Sequence, residues 1–172
     1  MTSNTPLPAT FKPSGPLTGT ISVPGDKSIS HRALIFSALA VGKSRITGLL
    51  EGEDVLATAD ALRMMGAKIE KKDDVWTVHG VGVGGLMQPD NVLEMGNSGT
   101  STRLLMGLIA SHPISATFTG DASLTKRPMG RVIEPLSRMG ADMRARETAD
   151  HKECLPLTVN GLCPAVPIEY RL

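Results

Sequence analysis

Aromatic side chains are scarce in this sequence, which holds three Phe, one Trp and one Tyr, or 3% of its 172 residues. Proteins that bind single-stranded nucleic acid stack the bases on exposed aromatic rings, so this composition disfavours that function. With few rings available, the core must be built from Leu, Ile, Val, Ala and Met. Hydrophobic residues make up 41% of the chain, a usual fraction for a globular protein with one substantial core.

Net charge is nearly absent too, because 18 Lys and Arg against 17 Asp and Glu give +1 at pH 7. Such a balance provides no general attraction to nucleic acid or to a membrane surface, so functional cations must be grouped locally. Long apolar runs are also missing: the longest, Ala33–Val41, is too short to cross a bilayer and contains Ser37. No secretory leader is visible at the start, and we therefore expect a cytoplasmic protein.

Cysteine is rare as well, with Cys154 and Cys163 nine positions apart. Although these two could form a disulfide, free thiols in a reducing compartment are the favoured interpretation. The histidines His79, His112 and His151 show no metal-ligand spacing with one another. We therefore expect no metal site.

The order of elements predicted along the chain recurs. Residues 1–16 are rich in Pro, Thr and Ser and lack periodicity, which predicts a flexible N-terminal arm. A β-α-β-α-β-β order then occurs twice, as unit one at about residues 17–81 and unit two at about residues 91–161. Residues 165–172 are interpreted as the start of a third unit. We therefore expect residues 17–172 to be an incomplete N-terminal domain, with a C-terminal domain absent.

We predict the bounds of the strands from the alternation of apolar and polar residues. The bounds of the helices come from helical periodicity and from the glycines that end helices. Unit one is predicted to contain strand Leu17–Val23, helix Ser28–Val41, strand Lys43–Leu50, helix Asp54–Met65, and strands Ala67–Lys71 and Val75–His79. Unit two is predicted to contain strand Asn91–Met95, helix Thr100–Ala110, strand Ser115–Thr119, helix Met129–Met139, and strands Asp142–Arg146 and Leu155–Val159. The third unit is predicted to open with strand Pro167–Leu172.

The predicted helices are of two kinds. Those that contain Ala33–Val41 and Leu104–Ala110 are apolar on nearly every side, which is typical of helices buried all round. The other two carry a single apolar stripe. We therefore predict an α/β fold turned inside out, in which duplicated β-α-β-α-β-β units place buried helices inside and sheets outside. The starts of the two apolar helices should converge at one end of the domain.

Each apolar helix begins with small polar residues and has a cation one turn in. In the first helix, Lys27 and Ser28 lie in the first turn and Arg32 follows Ser28 by four positions, so their side chains can share a face. Asp26 is placed to cap this helix. A helix start favours an anion through its free N–H groups and its dipole. The alternative is that Ser28 merely caps the helix and the cations are solvated.

The second apolar helix repeats this arrangement. Asn97–Thr100 leads into it, and Arg103 follows Thr100 by three positions. Gly99 either supplies a turn that requires a positive φ or admits a ligand close to the backbone. Thr100, like Ser28, has the alternative role of a simple helix cap.

A third group of cations, Lys126–Arg131, precedes the last helix of unit two. Pro128 suits the first position of a helix, which would leave Arg127 just outside it. A solvated basic turn is the alternative interpretation of this run. His31, which lies in the first anion-binding helix start, is interpreted as a structural histidine rather than as an acid–base group.

Five segments together resemble the EPSP synthase family, whose members are 3-phosphoshikimate 1-carboxyvinyltransferases. They are Gly25–Arg32 (GDKSISHR), Leu49–Asp54, Gly96–Thr100, Gly120–Asp121 and Lys126–Gly130. The resemblance covers nearly the whole chain from about Leu17, and it implies an enolpyruvate-transferase-like fold. The sister family that acts on UDP-N-acetylglucosamine shares the duplicated architecture but lacks this Ser-x-Ser-His-Arg run.

The resemblance implies a reaction of the shikimate pathway. The complete enzyme would transfer the enolpyruvyl group of phosphoenolpyruvate to the 5-hydroxyl of shikimate 3-phosphate and release phosphate, with no metal and no organic cofactor. Lys27, Ser28 and Arg32 would hold shikimate 3-phosphate. Lys27 would also reach phosphoenolpyruvate and is the catalytic residue implied for this chain.

The same resemblance implies the residues around phosphoenolpyruvate. Gly99 and Arg127 would contact it, while Asn97 and Thr100 would shape the loop. The general acid and base would come from the missing C-terminal domain. Members that tolerate glyphosate often carry Ala where this sequence has Gly99, which predicts that the complete enzyme is sensitive to glyphosate.

Three functions remain open at this point. The first is an enzyme fragment that is inactive until the missing portion complements it, with shikimate 3-phosphate and phosphoenolpyruvate as partners and neither nucleic acid nor membrane among them. The second is a stand-alone anion-binding module without a catalytic role. The third, which the helix-start motif argues against, is the transferase that acts on UDP-N-acetylglucosamine.

Overall fold

The computed structural model describes residues 8–171. The predicted N-terminal arm falls partly outside this range, and its described residues 8–16 are exposed and form neither helix nor strand. The predicted first strand, Leu17–Val23, is wrong, because these residues also form no strand. Leu17 is 95% exposed and Ile21 is 86% exposed. An alternating sequence becomes a strand only beside a sheet edge that pairs with it and buries one of its faces.

The rest of the described chain forms four α-helices, seven strands and one 3₁₀ turn. In chain order they are α1 (Lys27–Leu39), β1 (Val41–Thr47), α2 (Glu53–Met64), β2 (Lys68–Lys72), β3 (Val75–Val81), β4 (Leu93–Glu94), α3 (Gly99–Ala110), β5 (Ser115–Thr119), the 3₁₀ turn (Leu124–Lys126), α4 (Gly130–Arg138), β6 (Asp142–Glu147) and β7 (Glu153–Asn160). These helices and strands confirm the predicted order, with bounds that differ by a few residues. The 3₁₀ turn was not predicted, and β4 is shorter than its predicted strand.

The strand pairing confirms that one unit is duplicated. Unit one forms a sheet in the order β1-β3-β2, and unit two forms a sheet in the order β4-β5-β7-β6. In both, the last strand of the unit (β3 or β7) pairs antiparallel with the strand between the two helices (β1 or β5) and with the strand before it (β2 or β6). Unit two adds β4, which lies parallel to β5. The unpaired residues 17–23 occupy the equivalent sequence position in unit one.

Two glycines end the second helix of each unit in the same conformation. Gly66 has a φ of +98° and Gly140 a φ of +104°, values that favour glycine over residues with a side chain. The next residue then donates a hydrogen bond back to a carbonyl of the last helical turn, which satisfies a carbonyl group that the helix leaves free. The bonds are Ala67 N to Leu62 O at 3.0 Å and Ala141 N to Leu136 O at 3.2 Å.

A second pair of glycines lets each sheet touch the end of its own apolar helix. A Cβ atom at Gly80 would lie 2.2 Å from the carbonyl oxygen of Ala40, just after α1. A Cβ atom at Gly161 would lie 2.1 Å from the carbonyl oxygens of Ile109 and His112, at the end of α3. Both distances are far below van der Waals contact. Glycine is therefore required sterically at the same place in both units.

The core lies between the helices and one face of each sheet. Trp76 and Val78 of β3 are buried, as are Leu157 and Val159 of β7, while the positions on either side of each are more exposed. The helices α1 and α3 pack against β3 and β7. The sheets thus cover the helices from outside, as the inside-out prediction requires.

The prediction that α1 and α3 are buried all round is wrong for the part of the chain that the structure describes. Ile29 and Phe36 of α1 are 60% and 65% exposed, and Leu104 of α3 is 41% exposed. Two sheets cover only part of the surface of these helices, so one apolar face of each stays open. Within residues 8–171, no helix is both long and apolar enough to cross a bilayer.

The predicted opening strand of a third unit is wrong over residues 167–171, which form no strand, while Leu172 lies outside the described residues. This segment instead rests on the end of α4. The Arg138 guanidinium donates a hydrogen bond to the carbonyl of Glu169 at 3.0 Å and lies 5.6 Å from the ring centre of Tyr170. A strand also needs a neighbouring edge, and the two sheets provide none here.

We expect Gly161→Ala to lower the free energy of unfolding by about 1–3 kcal/mol, because its methyl group would collide with backbone that cannot rotate away. The matched control is Gly107→Ala in α3, where a Cβ meets nothing within 4 Å. Alanine favours a helix over glycine, so the control should gain about 0.5–1 kcal/mol. Urea denaturation measures both values. Equal shifts in the same direction would contradict the steric role of Gly161.

Candidate anion-binding site

The start of α1 is capped by Asp26, as predicted. Its Oδ1 accepts a hydrogen bond from the backbone N–H of Ile29 at 2.7 Å. The Ser30 hydroxyl donates to the Asp26 carbonyl at 2.7 Å and accepts from the N–H of Leu50 at 3.0 Å. Because Asp26 is the cap, Ser28 is not. The alternative role of Ser28 as a helix cap is therefore ruled out.

Three predicted anion-binding side chains project from this helix start. Ser28 and Arg32 are exposed. Within residues 8–171 neither side chain makes a hydrogen bond or an ion pair, so both keep their donors available. The Lys27 ammonium is half exposed and forms an ion pair with Asp54, at the start of α2. An ion pair this accessible contributes little stability, so an anion can compete with Asp54 for Lys27.

The start of α3 is capped by Ser98, whose Oγ accepts a hydrogen bond from the N–H of Ser101 at 3.2 Å. Thr100 is therefore not the cap, and its side chain is exposed. Asn97 precedes the cap and joins two charged groups. Its Nδ2 donates to Asp121 Oδ2 at 2.7 Å, and its Oδ1 accepts from Arg127 Nη2 at 2.5 Å. The structure thus brings Asn97 and Arg127 into contact, while Thr100 lies exposed in the first turn of α3.

Asp121 holds the turn that carries Arg127. The hydrogen bond from Asn97, followed by those from the backbone N–H groups of Leu124 and Ser123, lowers the pKa of Asp121. A carboxylate that accepts several hydrogen bonds stays charged, and its charge lies close to Arg127. Asp121 therefore helps to fix the direction of the Arg127 guanidinium.

Gly99 has no positive φ, so a strained turn does not explain this glycine. Instead, a Cβ atom there would lie 2.8 Å from Arg103 Nη1 and 3.2 Å from Arg127 Nη1. Two guanidinium groups therefore approach the backbone of Gly99 together. The glycine leaves room for charge beside the helix start.

Three arginines face one cleft of about 620 Å³ beside α3 and α4. Arg103 donates hydrogen bonds to the carbonyls of Gly99 at 3.1 Å and Pro128 at 3.3 Å. Burial lowers the pKa of Arg103, and the charges of Arg127 and Arg131 lower it further. Within residues 8–171, none of the three forms an ion pair with a carboxylate. Like charges held together without a partner favour an anionic ligand.

The same cleft has other charged lining residues. Glu153 is its single acidic one, while Lys152 and His151 are already paired with Asp150 and Glu147. The cleft as a whole is therefore cationic. Arg127 lies outside α4, as predicted, although that helix begins at Gly130 rather than at Pro128.

Buried polar side chains connect the starts of α1, α2 and α3. His31 is fully buried, and its Nδ1 lies 2.9 Å from Thr58 Oγ1 and 3.4 Å from Ser101 Oγ. Thr58 and Ser101 are linked at 2.6 Å, and Ser101 and Ser98 at 2.5 Å. Ser101 also donates to the carbonyl of Asp54 at 3.0 Å. The convergence of the helix starts is thereby confirmed.

Sequence reasoning placed His31 in a structural role, and its complete burial supports that interpretation. It missed Thr58 and Ser101, because hydroxyl groups inside helices are common and usually bond to their own helix. A signal was present: Thr58 interrupts the apolar stripe of α2, and Ser101 lies on the buried side of α3. Two polar residues on buried faces require partners in space.

Other candidate groups form no site. Cys154 is buried, Cys163 is exposed, and both thiols are free. In the described part of the chain, no three His, Cys, Asp or Glu side chains are grouped so that they could hold a metal ion.

Comparison with known proteins identifies the family. The family model for EPSP synthase (3-phosphoshikimate 1-carboxyvinyltransferase) matches residues 11–172. A 3-phosphoshikimate 1-carboxyvinyltransferase from Sphingopyxis alaskensis is 65% identical over 173 residues, which cover 100% of this chain and 39% of that protein. One from Novosphingobium aromaticivorans is 68% identical over 166 residues, covering 96% of this chain and 37% of the relative. The chain therefore spans about two fifths of the length of these relatives.

A solved structure agrees with the sequence comparison. EPSP synthase from Acinetobacter baumannii superposes with a TM-score of 0.82 at 46% identity, over 88% of this chain and 34% of that one. This similarity covers both duplicated units, and it confirms the enolpyruvyl transferase fold. The chain belongs to the EPSP synthase family and corresponds to the N-terminal part of its members.

Proposed function

We propose that this chain is the substrate-binding front part of a 3-phosphoshikimate 1-carboxyvinyltransferase. The complete protein moves the enolpyruvyl group of phosphoenolpyruvate to the 5-hydroxyl of shikimate 3-phosphate and releases phosphate. This reaction belongs to the shikimate pathway, which leads to chorismate and the aromatic amino acids. Residence in the cytoplasm, where the pathway's small phosphorylated substrates would be available, is part of the proposal.

The convergence of two cationic helix starts is the observation that carries this proposal. Both substrates are phosphorylated, and each also has a carboxylate. A protein that binds them together needs several cations at one place while its overall charge stays low. Lys27 and Arg32 at α1, and Arg103 and Arg127 near α3, supply such cations at two helix starts that the buried contact between Thr58 and Ser101 brings together, in a chain whose net charge is +1.

The resemblance to the family assigns the roles, and the exposure of the side chains supports them. Lys27, Ser28 and Arg32 project from α1 with exposed donors, and we assign them to shikimate 3-phosphate. Arg127 and the space above Gly99 are assigned to phosphoenolpyruvate. We also assign Lys27 a contact with phosphoenolpyruvate, because its ion-pair partner Asp54 is hydrogen-bonded through its carbonyl to Ser101 of α3.

Asn97 and Thr100 complete the phosphoenolpyruvate side. Asn97 holds the Arg127 guanidinium at 2.5 Å and the Asp121 carboxylate at 2.7 Å, so it orients the arginine. Thr100 offers an exposed hydroxyl in the first turn of α3. Neither residue needs to change protonation for this role.

The chemistry explains why cations alone do not make a catalyst. Protonation of the phosphoenolpyruvate methylene carbon creates a cation-like centre, which the 5-hydroxyl attacks to form a tetrahedral intermediate. Phosphate then leaves. Clamped cations position the two substrates and balance their charge, while proton transfer requires a general acid and a general base. We assign those two groups to the portion of the protein beyond this chain.

The open faces of α1 and α3 support such a further portion. Ile29, Phe36 and Leu104 are large apolar side chains on helices that the two sheets leave partly uncovered. Exposed apolar surface of this kind marks a contact site. The relatives continue well past the matched segment, which provides the chain length to cover it.

A complementation assay tests the proposed function. The chain is mixed with the part of the Sphingopyxis alaskensis relative that lies beyond the matched segment, and phosphate release from the two substrates is measured. We expect release from the mixture and none from either part alone. A second arm joins the two parts in one chain, which separates poor association from lack of activity.

Each other result of this assay has a meaning. Phosphate release by the chain alone would show that the acid and base are present here. Substrate binding without turnover in the joined chain would favour a stand-alone anion-binding module. Turnover with UDP-N-acetylglucosamine in place of shikimate 3-phosphate would favour the sister transferase.

Lys27→Met in the joined chain should slow phosphate release by roughly a hundredfold, because a hydrogen bond from a charged donor to substrate is lost. The matched control is Lys43→Met, which removes an exposed lysine of β1. Its rate should stay within about twofold of the parent. Similar losses in both variants would argue against a site at Lys27.

Gly99→Ala should weaken inhibition by glyphosate in a joined chain that is otherwise sensitive to it. The added methyl would displace the Arg103 and Arg127 guanidinium groups and crowd an inhibitor slightly longer than phosphoenolpyruvate. We expect the inhibition constant to rise at least tenfold and the KM for phosphoenolpyruvate to rise less. Gly107→Ala, on the same helix with open space around it, is the control. Tight inhibition that appears only after Gly99→Ala would overturn this prediction.

A further inference from the structure

The polar contact between α1, α2 and α3 is buried to an unusual degree. Four polar side chains there are fully buried: His31, Thr58, Ser98 and Ser101. Two of them belong to unit one and two belong to unit two. Polar groups buried in this way persist when each has a partner, and here one hydroxyl, Ser101 Oγ, serves all the others.

The distances imply one direction for the hydrogen bonds. Ser101 donates its proton to the Asp54 carbonyl at 3.0 Å, so its lone pairs must accept from Thr58 at 2.6 Å and from Ser98 at 2.5 Å. Thr58 has then spent its proton, on Ser101 at 2.6 Å or on the Asp54 carbonyl at 3.3 Å. Its oxygen can only accept from His31, at 2.9 Å. The imidazole must therefore carry its proton on Nδ1.

The second ring nitrogen is consistent with this order. His31 Nε2 is buried and has no hydrogen-bond partner among the described residues. An unpaired buried N–H is rarer in proteins than an unpaired acceptor. With the proton on Nδ1, Nε2 presents only a lone pair, so the costlier arrangement is avoided.

This chain of donors reaches both anion-binding helix starts. His31 follows Lys27 by four residues on the same face of α1. Ser101 is the second residue after Gly99, and Ser98 is the cap of α3. At the far end, the Asp54 carbonyl accepts from Ser101 while the Asp54 carboxylate pairs with Lys27. One set of bonds thus links Lys27, through Asp54, to Ser98 and Ser101, which lie on either side of Gly99.

We propose that His31, Thr58 and Ser101 form a directional relay that holds the two helix starts at the separation needed to bind two anionic substrates side by side. His31 is a positioning residue in this relay, neutral and protonated on Nδ1, and it does not touch substrate. The proposal rests on the proposed function for the identity of the two anions. The relay itself does not depend on that identity.

A purely structural purpose explains these residues less well. Apolar side chains of similar volume would fill the same space without a desolvation cost, and such replacements are often neutral or stabilising. A directional set of hydrogen bonds instead restricts how α1 and α3 can slide or rotate relative to each other. Precise placement of two bound reactants is where such restriction matters, since small errors in position reduce rate strongly.

The first test is the tautomer. Nitrogen-15 NMR of the imidazole in the 172-residue chain distinguishes a protonated Nδ1 from a protonated Nε2. We expect the Nδ1–H form of His31 at pH 7.5, assigned by its absence in His31→Asn. A protonated Nε2 would overturn the order of donors and with it the relay.

The second test compares two variants of equal chemistry and burial. Thr58→Val removes the middle of the relay. Thr102→Val is the matched control, because Thr102 is also 0% exposed but its hydroxyl bonds within α3, to Ser98 O at 2.8 Å. Calorimetry measures binding of shikimate 3-phosphate alone, and of phosphoenolpyruvate to the chain saturated with shikimate 3-phosphate. Thermal unfolding of each variant is recorded in parallel.

We expect Thr58→Val to weaken the second binding step about tenfold and the first step less than twofold, while Thr102→Val changes neither. If the residues act on stability alone, the affinity of both binding steps should fall in both variants in proportion to the loss of Tm. That result would overturn the proposal. If the parent chain binds neither substrate, the proposed function loses its support from this chain. Inorganic phosphate is then the probe, and a parent chain that also fails to bind phosphate would overturn the positioning role.

A pH profile gives an independent readout. Burial lowers the pKa of His31 below its usual 6.5, with Lys27 acting in the same direction and Asp54 opposing it. The unfolded chain therefore takes up a proton that the folded chain resists, and stability falls as pH drops through about 6.5. The reference variant is His31→Asn, whose amide can still donate to Thr58. Below pH 6.5, the folding equilibrium constant of the parent should fall by up to about tenfold per pH unit relative to that of this variant. Parallel profiles would show that His31 is not held neutral.

Discussion

The hydroxyl of Ser101 joins more of this molecule than any other single polar group described. It accepts from Thr58, shares a hydrogen bond with Ser98, donates to the carbonyl of Asp54, and lies 3.4 Å from His31 Nδ1. Through these contacts, the first turns of three helices from two units share one buried point. This buried contact fixes where the surface cations lie. Lys27 is positioned by α1 and by its ion pair with Asp54, and Arg103 is positioned by α3. The binding face is therefore set by polar contacts beneath it, and the apolar core supplies the surrounding support.

Duplication explains why two such helix starts exist. The two copies differ in how their cations are balanced by carboxylates. Both apolar helices begin with a polar cap, and each has a cation near its first turn. At α1 the nearest cation is balanced by Asp54, whereas the arginines beside α3 face one another without a carboxylate partner among the described residues. The second copy therefore carries the stronger local field.

Much of this could be read from the sequence, for physical reasons that differ between features. Glycine at Gly66 and Gly140 revealed the helix ends because positive φ is a local requirement, and helical periodicity revealed α1 to α4. Lys27, Ser28, Arg32, Asn97, Thr100 and Arg127 could be predicted as site residues because anion binding at helix starts has a local signature. Strands 17–23 and 167–171 were predicted wrongly because pairing depends on a neighbour that local pattern cannot supply. The contact of His31 with Ser101, separated by 70 positions, was equally out of reach.

The two glycines that are required sterically, Gly80 and Gly161, affect the order in which the chain folds. Gly80 lets β3 close onto the end of α1, and Gly161 lets β7 close onto the end of α3, so each of these contacts forms inside one unit. Contacts within a unit close shorter loops than contacts between units, and they lose less chain entropy on forming. We expect the last two strands of each unit to pack onto the apolar helix of the same unit first. The bond between Thr58 and Ser101 would then form when two already folded halves dock, so the candidate binding face would be the last part of the molecule to become ordered.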